Sequence, residues 1–302
     1  MALEKPYRIK SISEIHHLLG LPKPHHPLIG IIDVSGFKNH SDIRAVLLDF
    51  YVVSLKRGCD KLLYGQQKYD FDEGLMAFMS PGQILRGQDE SIPVNLEGWM
   101  LFIHPDFLWN TPLAKKIRQY EYFAYAAREA LFLSDKEESI INGIVDHIRS
   151  EYHSNIDKFS QEVIIAQLEL LFTYAQRFYE RQFITRKISS HKTLDRLEEV
   201  LTHCFDNDAL LTKGLPTVQY IADKLQMSPK YLNSLLKQLT GQTTQQHLHN
   251  KLIDKAKEKL STTDLTVSEI AYDLGFEHSQ SFSKLFKTKT KQSPLEFRQS
   301  FN

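Results

Sequence analysis

Cysteine is scarce: the 302-residue chain has two, Cys59 and Cys204. Thiols so far apart in sequence make neither a disulfide framework nor a zinc-ligand spacing, so a reducing compartment is expected. Long apolar runs are missing too. No stretch of about 18 apolar residues occurs, which excludes a membrane-spanning helix of ordinary length. The opening MALEKPYRIKSISEI lacks the apolar core of a signal peptide, so a cytoplasmic protein is expected, with no membrane partner. A basic excess, common in nucleic-acid binders, is absent: 37 basic residues balance 37 acidic ones. There is no glycine-rich phosphate loop and no recognisable Ser-His-Asp set, so no catalytic residue and no cofactor is assigned.

The composition that remains is ordinary for a soluble globular protein, with 42% apolar and 25% charged residues. The length suits about two domains. The zero net charge hides a local pattern, because Lys213–Arg298 carries 13 Lys and Arg against 8 Asp and Glu.

Residues 1–133 read mainly as β structure. Leu28–Val34, Ala45–Leu55, Lys61–Tyr64, Leu75–Met79 and Leu96–Ile103 are short apolar runs separated by turn pairs such as Ser35-Gly36, Arg57-Gly58 and Pro81-Gly82. Short strands at this spacing predict a sandwich or barrel, interrupted by short helices at Asp106–Trp109 and Leu113–Tyr120. Trp99, Phe78, Tyr51 and Phe102 are candidates for its interior, as core or as ligand-lining residues.

Residues 134–182 read as a helical hairpin. Ser134 with Glu137 forms a capping-box signature, followed by a stripe of Ile141, Ile144, Ile148 and Tyr152. The next helix, from about Lys158 to Arg181, carries Ile164, Leu168, Leu171, Ala175 and Phe178, spaced as a helix seam. This seam either packs on the β domain or forms the contact of a homodimer. Val163, Leu170 and Tyr174 widen the apolar surface enough for both. Residues 183–192 read as a linker, and 193–302 as helical throughout.

That last segment contains an internal repeat. Thr217-Val218-x-x-Ile221-Ala222-x-x-Leu225 recurs 49 residues later as Thr266-Val267-x-x-Ile270-Ala271-x-x-Leu274. Each copy has the form of a helix-turn-helix. Ala222 and Ala271 sit where two helices must approach closely. A sharp turn follows at Gln226 and Gly275, where positive φ suits glycine. Ser228-Pro229 then gives an N-cap and a proline at the first helical position, while the second copy offers Ser279 or His278. In the second helix of each copy the apolar residues face inward. Lys230, Asn233, Ser234 and Lys237 face outward in the first, and Ser279, Gln280, Ser283, Lys284 and Lys287 in the second. Neither Pro229–Leu239 nor Ser279–Lys291 contains an acidic residue. Such a surface suits phosphates and base edges, which carboxylates would repel. Between the copies, Thr244–Leu260 reads as a helix of about 25 Å at about 1.5 Å per residue. A rod of that length fits two recognition helices spaced about 34 Å apart, one turn of B-DNA.

These residues resemble the AraC family of bacterial regulators. The resemblance is strongest from about Leu194 onward, in IADKLQMSPKYLNSLLKQLTG and in IAYDLGFEHSQSFSKLFK followed by SPLEFR. Its most specific part is Gly275-Phe276, Phe282, Phe286, Lys287 and Ser293-Pro294-x-x-Phe297-Arg298. Departures are Gln226 and Lys291 where the family has glycine, and Thr244, His247 and Lys251 where it has Pro, Tyr and Arg. The resemblance implies that each helix-turn-helix enters a major groove, placing the outward residues above at DNA-contact positions. More weakly, Gly65-Gln66-Gln67-x-Tyr69-x-Phe71-x-x-Gly74 and Ser80-Pro81-Gly82-Gln83 resemble the cupin-like barrel that many members carry first. That implies a sensor of an unidentified small-molecule effector and a homodimer formed through the following helices. The expected protein is therefore α+β: a cupin-like β-barrel with following helices, then an all-α domain with two helix-turn-helix units joined by a linking helix. Its partners would be double-stranded promoter DNA and RNA polymerase, in an activator or a repressor.

Rival readings were a cupin-type metal enzyme and an interaction protein without DNA binding. A cupin enzyme needs a His-x-His with further Glu and His on one metal, but Leu55–Tyr69 holds no histidine and Gln83-Ile84-Leu85-Arg86 holds none either. The pairs His16-His17 and His25-His26 are expected at the surface, and no metal ligand is assigned. Cys59, beside Lys56 and Arg57, is expected to be a packed cysteine rather than a redox sensor. The acid-free helices speak against loss of DNA binding.

Overall fold

The structure is a computed structural model that describes residues 6–35, 45–57, 74–86, 97–126, 129–154, 157–185, 187–206 and 214–300. The chain divides into two compact units, 1–182 and 183–302.

The first unit begins with strand β1 (Tyr7–Ile9), helix α1 (Ile12–Leu18) and strands β2 (Ile29–Asp33), β3 (Ala45–Leu48), β4 (Tyr51–Arg57), β5 (Gly74–Met79), β6 (Ile84–Arg86) and β7 (Glu97–Ile103). A short 3₁₀ turn at Pro105–Leu108 leads to helix α2 (Leu113–Lys116), two further 3₁₀ turns and strand β8 (Leu131–Leu133). The strands form two sheets. One is five-stranded and antiparallel, in the order β2-β7-β4-β5-β8. The other is three-stranded, β1-β3-β6, with β1 and β3 parallel. No closed barrel forms among the described residues.

The single strand expected over Ala45–Leu55 is two strands in different sheets. Asp49 and Phe50 make the break. The Asp49 N–H donates to Ile9 O at 3.0 Å, and its carboxylate holds Arg8. Phe50 is fully buried against Phe102. Lys61–Tyr64, the Gly65–Gly74 motif up to its last residue and Cys59 lie outside the described residues. His16, expected at the surface, is buried: its Nδ1 contacts Pro22 O at 2.7 Å, and it packs over Gly30. Trp99, Phe78 and Phe102 are core residues, and Trp99 donates through Nε1 to Asn142.

Two helices complete the unit. Helix α3 (Asp135–His153) starts with the Ser134–Glu137 capping box that the sequence predicted. Its Glu138 receives a bidentate guanidinium from Arg57 at 2.8–3.0 Å, tying the helix to β4. Helix α4 (Ser160–Thr185) carries the predicted seam. Ile164, Leu168, Leu171, Ala175 and Phe178 are all buried within the single chain, none more than 5% exposed. As folded, they cannot present themselves to a second copy, because the β domain already covers them. Tyr122 Oη donates to Phe172 O, Tyr179 Oη donates to Glu129 O, and Gln182 bridges Phe132 N and Ala130 O. Val163 and Leu170 remain exposed on a flank of the helix, about a third of a turn from the seam.

The expected linker at 183–192 is helical instead over its described residues, 183–185 and 187–192. Helix α4 continues to Thr185, and α5 (Lys187–Asp206) follows almost at once. Ser189 and Ser190 favour turns, yet a preference of a few tenths of a kcal/mol per residue is easily overridden in a 20-residue helix.

The second unit continues with α6 (Val218–Lys224), α7 (Pro229–Thr240), α8 (Thr244–Thr262), α9 (Val267–Asp273), α10 (Ser279–Thr290) and α11 (Pro294–Gln299). One core joins them: Leu197 and Leu201 of α5, Ala222, Leu232 and Leu236, Leu252 and Ala256 of α8, then Ala271, Phe282 and Phe286. No helix among the described residues is long and apolar enough to cross a membrane.

Candidate nucleic-acid interface

The sequence repeat is expressed as a repeat of hydrogen bonds. Helix α6 starts at Thr217, whose side chain accepts from Tyr220 N; α9 starts at Thr266, whose side chain accepts from Glu269 N in a capping box. Both helices end alike. Gln226 N donates to Asp223 O and Met227 N to Ala222 O; Gly275 N donates to Tyr272 O and Phe276 N to Ala271 O. This paired arrangement is the Schellman ending, which needs one residue at positive φ. Gln226 has φ +57° and Gly275 φ +83°. Ala222 and Ala271 are fully buried, so the second helix of each pair packs without a side chain in the way.

The second helices are α7 and α10, 12 residues each. Ser228 caps α7 by accepting from Tyr231 N, with Pro229 at the first position. Helix α10 begins at Ser279 with His278 at its cap position, and no side-chain cap bond is made there. Both helices close on a residue at positive φ, Gly241 (φ +73°) and Lys291 (φ +67°). Leu232, Leu235 and Leu236 are buried in the first, Phe282 and Phe286 in the second. The opposite faces are open: Lys230, Lys237, Gln280, Lys284 and Lys287 are exposed, and Asn233, Ser234, Ser279 and Ser283 are half-buried. Each helix is therefore amphipathic, with a cationic outer face that holds no carboxylate.

Asn233 is also used inside the fold. Its Oδ1 accepts the Thr244 N–H at 3.3 Å, so part of its side chain holds the start of α8. Its amide N–H groups and the second lone pair of Oδ1 are left for an outside partner.

Helix α8 spans 19 residues, about 28 Å at about 1.5 Å per residue. Its N-terminus is fixed by the Thr243–Gln246 capping box. Its last turn is tied by Arg298, whose guanidinium donates to Leu260 O at 3.2 Å and Leu265 O at 2.6 Å. Lys259 pairs with Asp273 of α9 at 3.2 Å, and Lys289 donates to Asn250 at 3.2 Å. The C-terminal arginine of the SPLEFR motif is thus a clamp on the spacer. Composition showed only that an arginine was present, and its role depends on a fold that brings 298 to 260.

A helix-turn-helix domain family matches residues 221–300, the span that begins in α6 and ends after α11. Over these residues the C-terminal unit is a helix-turn-helix domain. This domain is 42% identical over 79 residues to the HTH-type transcriptional activator RhaS of Citrobacter koseri, covering 26% of this chain and 28% of that protein. The RhaS of Salmonella arizonae is 32% identical over 114 residues, 34% of this chain and 41% of its own length. The chain thus spans less than half the length of these relatives. Among solved structures, the C-terminal domain of the two-component response regulator yesN from Fusobacterium nucleatum is 30% identical, covering 33% of this chain and 96% of that one, at a TM-score of 0.29. All of these likenesses are confined to about a third of the chain or less.

Proposed function

We propose that the chain is a transcription regulator that binds double-stranded promoter DNA through α7 and α10, each in a major groove, and acts as an activator like the relatives its domain resembles. One observation carries this reading. Two helices with the same ending, the same buried face and the same acid-free outer face are joined by one spacer and one core. A pair held this way binds two adjacent grooves without the entropy cost of ordering a flexible join. In this reading Lys230, Lys237, Lys284 and Lys287 meet phosphates. Ser234, Ser279, Gln280 and Ser283, with the free amide hydrogens of Asn233, reach base edges.

The first unit serves as the sensor and dimerisation part. Its two-sheet core supports a cupin-like relation, and RNA polymerase is the further partner an activator needs. The buried seam is replaced, as dimer contact, by the outer face of α4. There Val163 and Leu170 are 42% and 44% exposed and Tyr174 is half-buried.

The test is capture of fragmented genomic DNA by the purified full chain, followed by sequencing, with Lys284→Ala and Lys192→Ala alongside. Enrichment of a few promoter-proximal sites, lost in the first variant and kept in the second, supports the reading. Equal behaviour of the two variants contradicts it, since Lys192 is exposed on α5 and away from both recognition helices in sequence.

A further inference from the structure

Thr244 is the first residue of α8 and is fully buried. The leading N–H groups of a helix find no carbonyl within it. The capping box satisfies two groups beside it: Thr243 N–H donates to Gln246 Oε1 at 2.7 Å, and Gln246 N–H donates to Thr243 Oγ1 at 3.2 Å. The Thr244 N–H instead crosses to α7 and donates to Asn233 Oδ1 at 3.3 Å. The Thr244 hydroxyl has no hydrogen-bond partner among the described residues. The polar link between this residue and the recognition helix is therefore its backbone N–H.

That bond fixes how the Asn233 amide lies. A backbone N–H can donate to the oxygen of a side-chain amide and not to its NH2 group. Oδ1 is thus held toward the start of α8, and the two N–H groups of Nδ2 are left for the groove. An asparagine free to turn pairs with adenine, accepting from N6 and donating to N7. An amide whose oxygen is held by the protein meets a base edge chiefly as a pair of donors. Guanine offers two adjacent acceptors, O6 and N7, whereas adenine sets a donor beside its N7.

We infer that Thr244 is a positioning residue for base recognition: its backbone N–H holds Asn233 as a donor and so sets guanine over adenine at one base pair of the DNA site. This rests on the DNA-binding reading above and adds to it the base that one recognition position takes. The N–H can be removed with little other change. Thr243 is extended, at φ −75° and ψ 161°, as a residue before proline must be, and proline suits the first helical position.

The test is selection of bound duplexes from a randomised pool by the full chain, followed by sequencing, for the parent, Thr244→Pro, Thr244→Val, Asn233→Gln and Asn233→Ala. Asn233→Ala marks the base pair concerned, as the one whose preference it abolishes. There the parent is expected to favour guanine over adenine about fivefold, the worth of one net hydrogen bond. Thr244→Val keeps the N–H and is expected to keep that ratio. Thr244→Pro is expected to bring the ratio to one or below, with the base pairs read by α10 unchanged. A Thr244 that only supports the fold would weaken all sequences alike and leave the pattern as it was. Asn233→Gln carries the amide one methylene past the Thr244 N–H and is expected to shift the ratio in the same way, which decides the matter if circular dichroism shows that Thr244→Pro does not fold. The inference is overturned if the parent favours adenine or no base at that base pair, if the guanine preference survives in a folded Thr244→Pro or in Asn233→Gln, or if Thr244→Val loses it. A parent that selects no sequence at all overturns the DNA-binding reading itself, and this inference with it, so the two failures are distinct.

Discussion

Gln226 and Gly275 stand 49 residues apart at the same position of the two repeats, both at positive φ, and only one of them is a glycine. The same asymmetry recurs in reverse at the ends of the recognition helices, where Gly241 and Lys291 are the matched pair. At Gly275 there is a second constraint. A Cβ there would lie 3.0 Å from Gly214 C and 3.1 Å from Leu215 N, both backbone atoms.

The two turn positions therefore respond differently to substitution. Gly275→Ala meets strain from φ and from the 214–215 backbone together, and is expected to cost about 2 kcal/mol or more. Gln226→Gly removes side-chain strain but adds freedom to the unfolded chain, and is expected to stay within about 1 kcal/mol of the parent. Urea denaturation of the full chain followed by circular dichroism measures both. Equal losses would mean that the 214–215 backbone does not press on the second turn.

Arg298 is expected to act on stability rather than on DNA directly. Arg298→Ala frees Leu260 O and Leu265 O at the end of the spacer helix, at a cost of about 2 kcal/mol for bonds from a charged donor. Thermal unfolding checks it. An unchanged midpoint would place the clamp outside the stabilising contacts.

Much of this was legible in the sequence. The 49-residue repeat, the Ser228-Pro229 start, the Ser134 capping box and the buried Ala222 and Ala271 follow from local chemistry, and the structure has all of them. What was not legible depends on contacts between distant residues. Ala45–Leu55 reads as one strand because Asp49 and Ser54 are isolated polar residues in an otherwise apolar run, and only Ile9 and Phe102 explain why it splits at Asp49 and Phe50. The α4 seam shows its spacing in sequence, but not which partner covers it. Asn233 looked like its outward neighbours, and nothing local reveals that Thr244 N lies against it.

The covered seam changes the dimer experiment. Leu171 is fully buried, so Leu171→Glu places a charge in the core and is expected to unfold the first unit. Leu170→Glu, one residue away and 44% exposed, is expected to leave the fold intact and yield a monomer in sedimentation velocity. A folded dimer with Leu170→Glu would remove the outer face of α4 as the contact.

Stability should fall in mild acid. Partial burial holds both His247 and His249 of α8 below the usual histidine pKa; Lys289 adds to this at His249, and Glu198 opposes it at His247. Their unfolded pKa is about 6.5. Above it both forms are neutral and the fold keeps its full stability. As pH falls below it the unfolded chain takes up protons more readily, and stability declines until the folded pKa is passed. The full chain is expected to melt lower at pH 5.5 than at pH 7.5, by a smaller margin when both histidines are changed to Gln. His26 and His153, also lowered chiefly by burial, leave part of the difference in place. An identical margin would mean that α8 does not carry this dependence.

The central claim is that one chain holds two recognition helices at a fixed spacing for adjacent major grooves. Hydroxyl-radical and methylation footprinting of the full chain on a captured genomic site tests it most directly. The account predicts two protected major-groove patches per chain on one face of the duplex, about 10–10.5 bp apart centre to centre. Lys284→Ala should weaken one patch more than the other and lower the salt dependence of binding by about one phosphate contact. A single patch per chain, or two patches at variable spacing, would contradict it.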